Sequence, residues 1–216
     1  INFLILIFIN IKKPIPSKKI NRPLGDVLLQ KNLIIAILAA AVGYSLMSFI
    51  MTATPLQIVN VCKLGDSASA TVIQWHVIAM FAPSFFTGTI INSLGNRKVM
   101  MIGLFLYAFS ISFTIIGQTI EHFWIALFLC GLGWNFLYVG GSDIIAKSAL
   151  PEERAKVQGV TDFIIFVFVA TGSFLAGALH STLGWEIMMF YTSIPIFILF
   201  MSIIIINPDG GIKARY

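Results

Sequence analysis

Six long apolar stretches, each almost free of charge, follow one another between Asn32 and Ile206. They run over residues 32–60, 69–91, 99–117, 122–146, 157–180 and 185–206. A helix needs about 20 such residues to cross the hydrocarbon core of a bilayer. None of the six carries the charged stripe of a helix that faces water on one side. None alternates with period two, as a membrane strand does. In lipid every backbone N–H and C=O must be paired within the segment, so stretches of this length are predicted to be helices. The expected fold class is all-α: a polytopic membrane helix bundle of six complete transmembrane helices plus the end of a seventh.

Composition points the same way. The chain is 58% apolar and 11% charged, against about 25% charged in a soluble domain. Its mean hydropathy is +0.93. A soluble chain leaves roughly a third of its unfolded surface in water, too much for this composition to tolerate. The net charge is +5. In a soluble protein such a charge would suggest nucleic acid; here its distribution gives a better account. Thirteen of the 14 Lys and Arg fall in alternate connections: Lys12 to Lys31, Arg97 and Lys98, Lys147 to Lys156, and Lys213 with Arg215. Lys63 stands alone in the other set. Under the positive-inside rule, the basic loops and the C-terminus are cytoplasmic. Trp124 and Trp185 then open spans at the outer interface, where aromatic belts sit.

The domain organisation follows: residues 1–11 as the end of a truncated transmembrane helix, 12–31 as a basic cytoplasmic linker, 32–206 as the six-helix bundle, and 207–216 as a cytoplasmic tail. The opening residues INFLILIFINI are too short to span, and the basic run follows them rather than preceding them, unlike a signal peptide. Pro55 is expected to bend the far end of the first complete span, and Pro83 to kink the second.

Two loops carry a resemblance. Gly88-Thr-Ile-Ile-Asn92-Ser-Leu-Gly95-Asn-Arg97-Lys98 resembles the G-x-L-A-D-R-x-G-R-K signature of the major facilitator superfamily, with Asn92 where that family usually has Asp and Asn96 where it often has Arg. Pro151-Glu-Glu-Arg154-Ala-Lys-Val-Gln-Gly159 resembles its P-x-x-x-R-x-x-x-G loop. Their order resembles the end of helix six through helix twelve of that fold. Longer blocks, Met51-Thr-Ala-Thr-Pro55 and Gly133-Trp-Asn135-Phe-Leu-Tyr138 among them, are similar to a bacterial permease branch that includes riboflavin-importer-like proteins.

The resemblance implies a secondary transporter half, moving a small organic solute by alternating access, with the first, second, fourth and fifth complete spans lining the pathway. Its expected partners are the lipid bilayer, a missing N-terminal six-helix half and a small-molecule substrate, with no nucleic acid, and its place is the bacterial inner membrane. The alternatives are a stand-alone six-helix scaffold or non-transporting fragment and, least favoured, a membrane enzyme. No nucleotide loop, zinc pattern or nucleophile motif is present in the sequence, and no cofactor is expected.

Candidate pathway residues are Tyr44, Gln74, Trp75, His76, Trp134, Asn135, Tyr138 and Ser142. On the fourth span Gly131, Asn135, Tyr138 and Ser142 recur at steps of four, three and four, which puts them on one helix face. Asn135 can serve a solute or an interhelical bond. Gln74 and His76 project about 200° apart and cannot both face one cavity. His76, ionisable at mid-span, is a functional candidate by default; the alternative is a His bonded to a neighbouring helix. Tyr44, Ser48 and Thr52 recur every four residues. Ala170, Ser173 and Gly177 on the fifth span read as a close-packing face. For the cytoplasmic gate the resemblance implies Gly88, Asn92, Gly95, Arg97, Lys98, Asp143, Arg154 and Asp162, with an Arg97–Asp143 contact, Lys98 as substitute donor, and Asp162 near Arg154 or Lys156.

Overall fold

The computed structural model describes residues 22–209. Its helices are α1 (Leu24–Leu28), α2 (Lys31–Pro55), α3 (Asp66–Phe81), α4 (Ser84–Leu94), α5 (Asn96–Ile116), α6 (Ile120–Ser148), α7 (Arg154–Leu183) and α8 (Trp185–Ile205), with α2 continuing as a π-helical turn over Leu56–Val61. Among the described residues there is no strand. Five helices are each long and apolar enough to cross a membrane; α3 and α4, meeting at 44°, together make a sixth. The expected spans are therefore present, within a few residues of their predicted ends. Residues 1–21 and 210–216 lie outside the described residues, and with them the expected truncated helix and most of the linker and tail. The described end of the linker holds α1, which the sequence reading lacks. Buried Val27 holds it to the bundle, and Arg22 beside it bonds Glu153 at 3.1 Å.

Both expected prolines act, each in its own way. Pro55 has no N–H to continue the α-helical ladder, and the chain changes there to the wider π turn. At Pro83 the ladder breaks outright and the axis turns.

Helix α6 runs through the middle of the bundle, packed against α2, α3 and α5. Its glycines explain how three helices approach it. A Cβ on Gly131 would stand 2.7 Å from the carbonyl of His76 on α3, one on Gly133 2.9 Å from the carbonyl of Gly103 on α5, and one on Gly141 2.7 Å from the carbonyl of Ala36 on α2. Helices α7 and α8 complete the bundle against α2 and α5. The large exposed side chains are apolar, Phe85, Phe163, Phe174 and Ile205 among them, as suits lipid or a neighbouring membrane segment.

At the end carrying Arg97, Lys98, Lys147 and Arg154, here termed the basic end, α5 and α8 cap each other. Asp209 accepts the backbone N–H of Asn96 at 3.2 Å and of Arg97 at 3.1 Å. Arg97 in return donates from its guanidinium to the carbonyl of Ile204 at 3.0 Å. A carboxylate thus meets a helix N-terminus and a cation a C-terminus, the pairing that the helix dipole favours. Gly95, at φ +83°, makes the turn into α5, and a Cβ there would lie 2.8 Å from Asp209 Oδ2. Gly88, by contrast, lies inside α4 with open space around it, so only Gly95 of the two loop glycines serves a turn.

Candidate functional site

Five aromatic rings from four helices, Trp134 among them, form one cluster. Trp134 stacks on Tyr138, one turn along α6, with ring centroids 5.2 Å apart. Tyr44 of α2 meets both edge-on, at 5.2 Å and 5.4 Å. Phe166 of α7 lies 5.9 Å from Tyr44. Phe81, the last residue of α3, stands 5.8 Å from Trp134. Trp134 is buried while Phe81 is 57% and Phe166 52% exposed, so the cluster has a closed floor and an open side. The indole N–H of Trp134 is buried without a partner. All five rings belong to the spans expected to line the pathway, and none to α5 or α8.

A polar layer lies one turn toward the basic end. Ser142 follows Tyr138 by four residues on α6, and Asp162 precedes Phe166 by four on the antiparallel α7. Four residues of helix rise about 6 Å, so each sits about that far toward the basic end from its own ring. Ser142 and Asp162 both lie near enough to the Tyr138 hydroxyl to act on it electrostatically. Gln158 donates to Asp162 Oδ1 at 2.7 Å. Neither Arg154 nor Lys156 meets this acid, contrary to expectation: they are exposed in the first turn of α7, and Gln158 has the i,i+4 position. On the other side of the rings Ser48 bonds Ser173 at 2.6 Å and Ser45 bonds the carbonyl of Phe168 at 2.9 Å. Hydroxyls there knit α2 to α7, but of the close-packing face expected on α7 only Ser173 takes part: Ala170 is exposed and Gly177 has open space around it, and the close approach is made at Gly172 instead.

Asn135 is a structural clamp. Its Nδ2 donates to the carbonyl of Met80 at 2.7 Å and to the Ser84 hydroxyl at 2.6 Å, and its Oδ1 lies 2.6 Å from the Thr87 hydroxyl. These groups flank the break at Pro83, where the backbone ladder cannot satisfy itself. The amide is thus spent on the bend. His76 is fully buried; Leu127 accepts from its Nδ1 at 2.7 Å, and its Nε2 has no partner. Gln74 and Trp75 are exposed on the opposite side of α3, so the expected divergence holds. Trp75 meets Trp124 edge-on at 5.8 Å, away from the five-ring cluster.

The expected Arg97–Asp143 contact does not form. Asp143 accepts instead from Asn96 Nδ2 at 2.9 Å and from Lys147 at 2.5 Å. One helical step rotates a side chain by about 100°, which takes Arg97 round to α8 and leaves Asn96 facing α6. Lys98 and Asn92 are exposed. Glu153, for which the sequence suggests no partner, is buried in the 150–154 turn and accepts from Arg22 and from the Leu150 N–H.

At the opposite end a second polar group escaped the sequence reading. Gln57, in the π turn, donates to Gln118 at 2.7 Å and accepts from His180 Nε2 at 2.8 Å. The Cys62 thiol also donates to Gln118, at 3.3 Å. Pro55, expected to bend the span two residues before Gln57, was the available signal. Trp185 is expected at an interface belt but is 4% exposed, its indole donating to the Thr114 carbonyl. A groove of about 500 Å3 runs between α2, α7 and α8, lined by Phe49, Leu175 and Met188 among others; it contains none of the candidate pathway residues.

A bundle of this kind, with broken and glycine-packed spans about an aromatic interior, defines a multi-pass α-helical membrane protein. The chain belongs to the major facilitator superfamily, whose model matches residues 33–213. It is 44% identical over 175 residues to the riboflavin transporter RfnT of Brucella anthropi, covering 81% of this chain and 44% of that protein. It is 35% identical over 153 residues to the MFS-type transporter YdeG of Bacillus subtilis, covering 68% of this chain and 35% of that protein. Similarity extends, at 21% identity over 156 residues, to the multidrug resistance protein MdtL of Shewanella oneidensis, covering 69% and 39%. The chain thus spans less than half the length of these curated relatives.

Proposed function

We propose that the complete protein is a secondary active transporter that moves a planar aromatic solute of the flavin class by alternating access, with this chain as its C-terminal half. The observation that carries this reading is the five-ring cluster. Aromatic faces bind a flat ring by offset or edge-on stacking, worth about 0.5–1.5 kcal/mol per ring pair beyond area burial. The open side at Phe81 and Phe166 would face the other six-helix half across a central cavity, as in repeat-built transporters. The likeness to a riboflavin transporter supports the ring size. The basic end is assigned to the cytoplasm of a bacterial cell by the distribution of Lys and Arg, and Asn96, Asp143 and Lys147 are assigned to the cytoplasmic gate. His76, beside the α6 backbone, is the remaining ionisable group for coupling in the middle of this half.

The test is uptake of labelled riboflavin by cells that can neither make nor import it, expressing the complete gene product. Uptake is expected, with Trp134→Ala and Tyr138→Ala each raising KM about tenfold while leaving surface expression intact. Expressed, folded protein that gives no uptake above background would refute this reading and favour a scaffold.

A further inference from the structure

We infer that Asp162 and Ser142 form a second subsite for a hydroxylated side chain carried by the aromatic solute, with the Asp162 carboxylate as acceptor and Ser142 as exchangeable partner. This rests on the proposed flavin-class reading and adds the half of the ligand that stacking cannot recognise. Helix geometry carries the argument: each residue lies one turn toward the basic end from a ring of the cluster, on helices that run in opposite directions, and both lie near the Tyr138 hydroxyl. The two polar layers that flank the rings differ. On one side the hydroxyls of Ser48 and Ser173 satisfy each other. On the other, among the described residues, Gln158 is the sole donor to the Asp162 carboxylate, which leaves Oδ2 open to a ligand hydroxyl. A carboxylate has about four acceptor sites, and hydrogen bonds to an ionised acceptor are the stronger kind. Asp162 meets no Lys or Arg among the described residues, so a gate salt bridge does not account for it.

A ligand seated this way lies with its ring against Trp134 and Tyr138 and its chain toward the basic end. A site built to accept hydroxyl protons discriminates strongly against the analogue that lacks them.

Equilibrium binding to the complete purified protein, read by quenching of flavin fluorescence, needs no transport step. Three ligands share one tricyclic ring: one with a polyhydroxylated chain (riboflavin), one with a methyl group in its place, and one with an aliphatic ammonium chain. Asp162→Asn is expected to weaken the polyol ligand about tenfold and the methyl ligand less than twofold, erasing the preference between them. Ser142→Ala is expected to cost the polyol ligand a few-fold, and Asp162→Glu to restore part of the preference. Melting of each variant separates loss of the subsite from loss of the fold. Equal weakening of polyol and methyl ligands, or no weakening of either, overturns the subsite alone. Strongest binding by the ammonium ligand, lost in Asp162→Asn, also overturns it, making Asp162 a cation site. Wild-type protein that binds none of the rings overturns the flavin-class reading itself.

Discussion

The hydroxyl of Tyr107, on α5, donates to the carbonyl of Gly43, on α2, at 2.6 Å. Both residues are buried. The phenol passes α6 beside Gly133, where a Cβ would come within 2.9 Å of the ring. A helix at the edge of the bundle thereby holds the backbone of one that carries Tyr44, the next residue along. Tyr107→Phe keeps the packing and removes the bond, leaving one lone pair of Gly43 unmatched. The expected cost is about 1 kcal/mol, a fall in melting temperature of about 2–4 °C for protein in detergent.

Gly133 and Gly159 should answer the same substitution in opposite ways. At Gly133 a methyl group meets the Gly103 carbonyl at 2.9 Å and the Tyr107 ring, so the α5–α6 crossing must open; Gly133→Ala should cost about 1–3 kcal/mol. Around Gly159 there is open space, and alanine should stabilise α7 by about 0.5–1 kcal/mol. Paired melting curves check both signs.

Asn135→Leu, which has the same branched heavy-atom skeleton, strands the Met80 carbonyl and takes the Asn135 partner from the Ser84 hydroxyl next to the break, while Thr87 keeps its bond to the Pro83 carbonyl. A buried polar group left unpaired costs about 1–3 kcal/mol, and the bend between α3 and α4 should lose its fixed angle. Distances between spin labels at the two ends of the pair, such as positions 68 and 92, should broaden in the variant and stay narrow in the parent.

The apolar lengths and the basic loops were enough to place all six spans, because the bilayer requires both and each is local in the chain. Inside the bundle legibility fell. Tyr44, Trp134 and Tyr138 stood out among aliphatic neighbours, but Phe81 and Phe166 did not: in a chain with 19 Phe, two more carry no signal until the fold brings them together. Asn135 was legible as a polar residue in lipid but not as a clamp, since its partners lie about 50 residues away and matter only because Pro83 breaks the ladder. The Arg97–Asp143 contact is what the resemblance implies, whereas a rotation of one residue gives that acid to Asn96. Asp209 lay past the last span, where hydropathy has nothing to say.

That rotation gives a direct cross-linking test. In a background with Cys62 and Cys130 replaced, a cysteine pair at 96 and 143 should join readily with a short bifunctional reagent in the conformation described. A pair at 97 and 143 should lag by about tenfold, while a pair at 97 and 204 joins. Equal yields from the first two pairs would show that the start of α5 does not hold this register.

Cys62 offers a measurement at the opposite end. Partial burial raises its thiol above the usual range, and the Gln57 side chain offsets this in part. A raised value means less thiolate at neutral pH, and the thiolate is the reactive form. Alkylation should therefore be slower than for a free thiol at pH 7.5 and should climb as pH rises through and beyond the ordinary range. Gln57→Ala removes the offsetting bond and should slow labelling at neutral pH further.

The two carboxylate contacts from Asp209 make the final described turn of the chain the anchor of the first turn of α5. Whatever is attached beyond it, a purification tag or a fluorescent domain, hangs on the same two amides that open the loop next to Asp143. A C-terminal fusion on this protein is therefore a probe of that loop as well as a handle: load placed on the tail is delivered 113 residues back along the sequence, to the segment assigned to closing the cytoplasmic side.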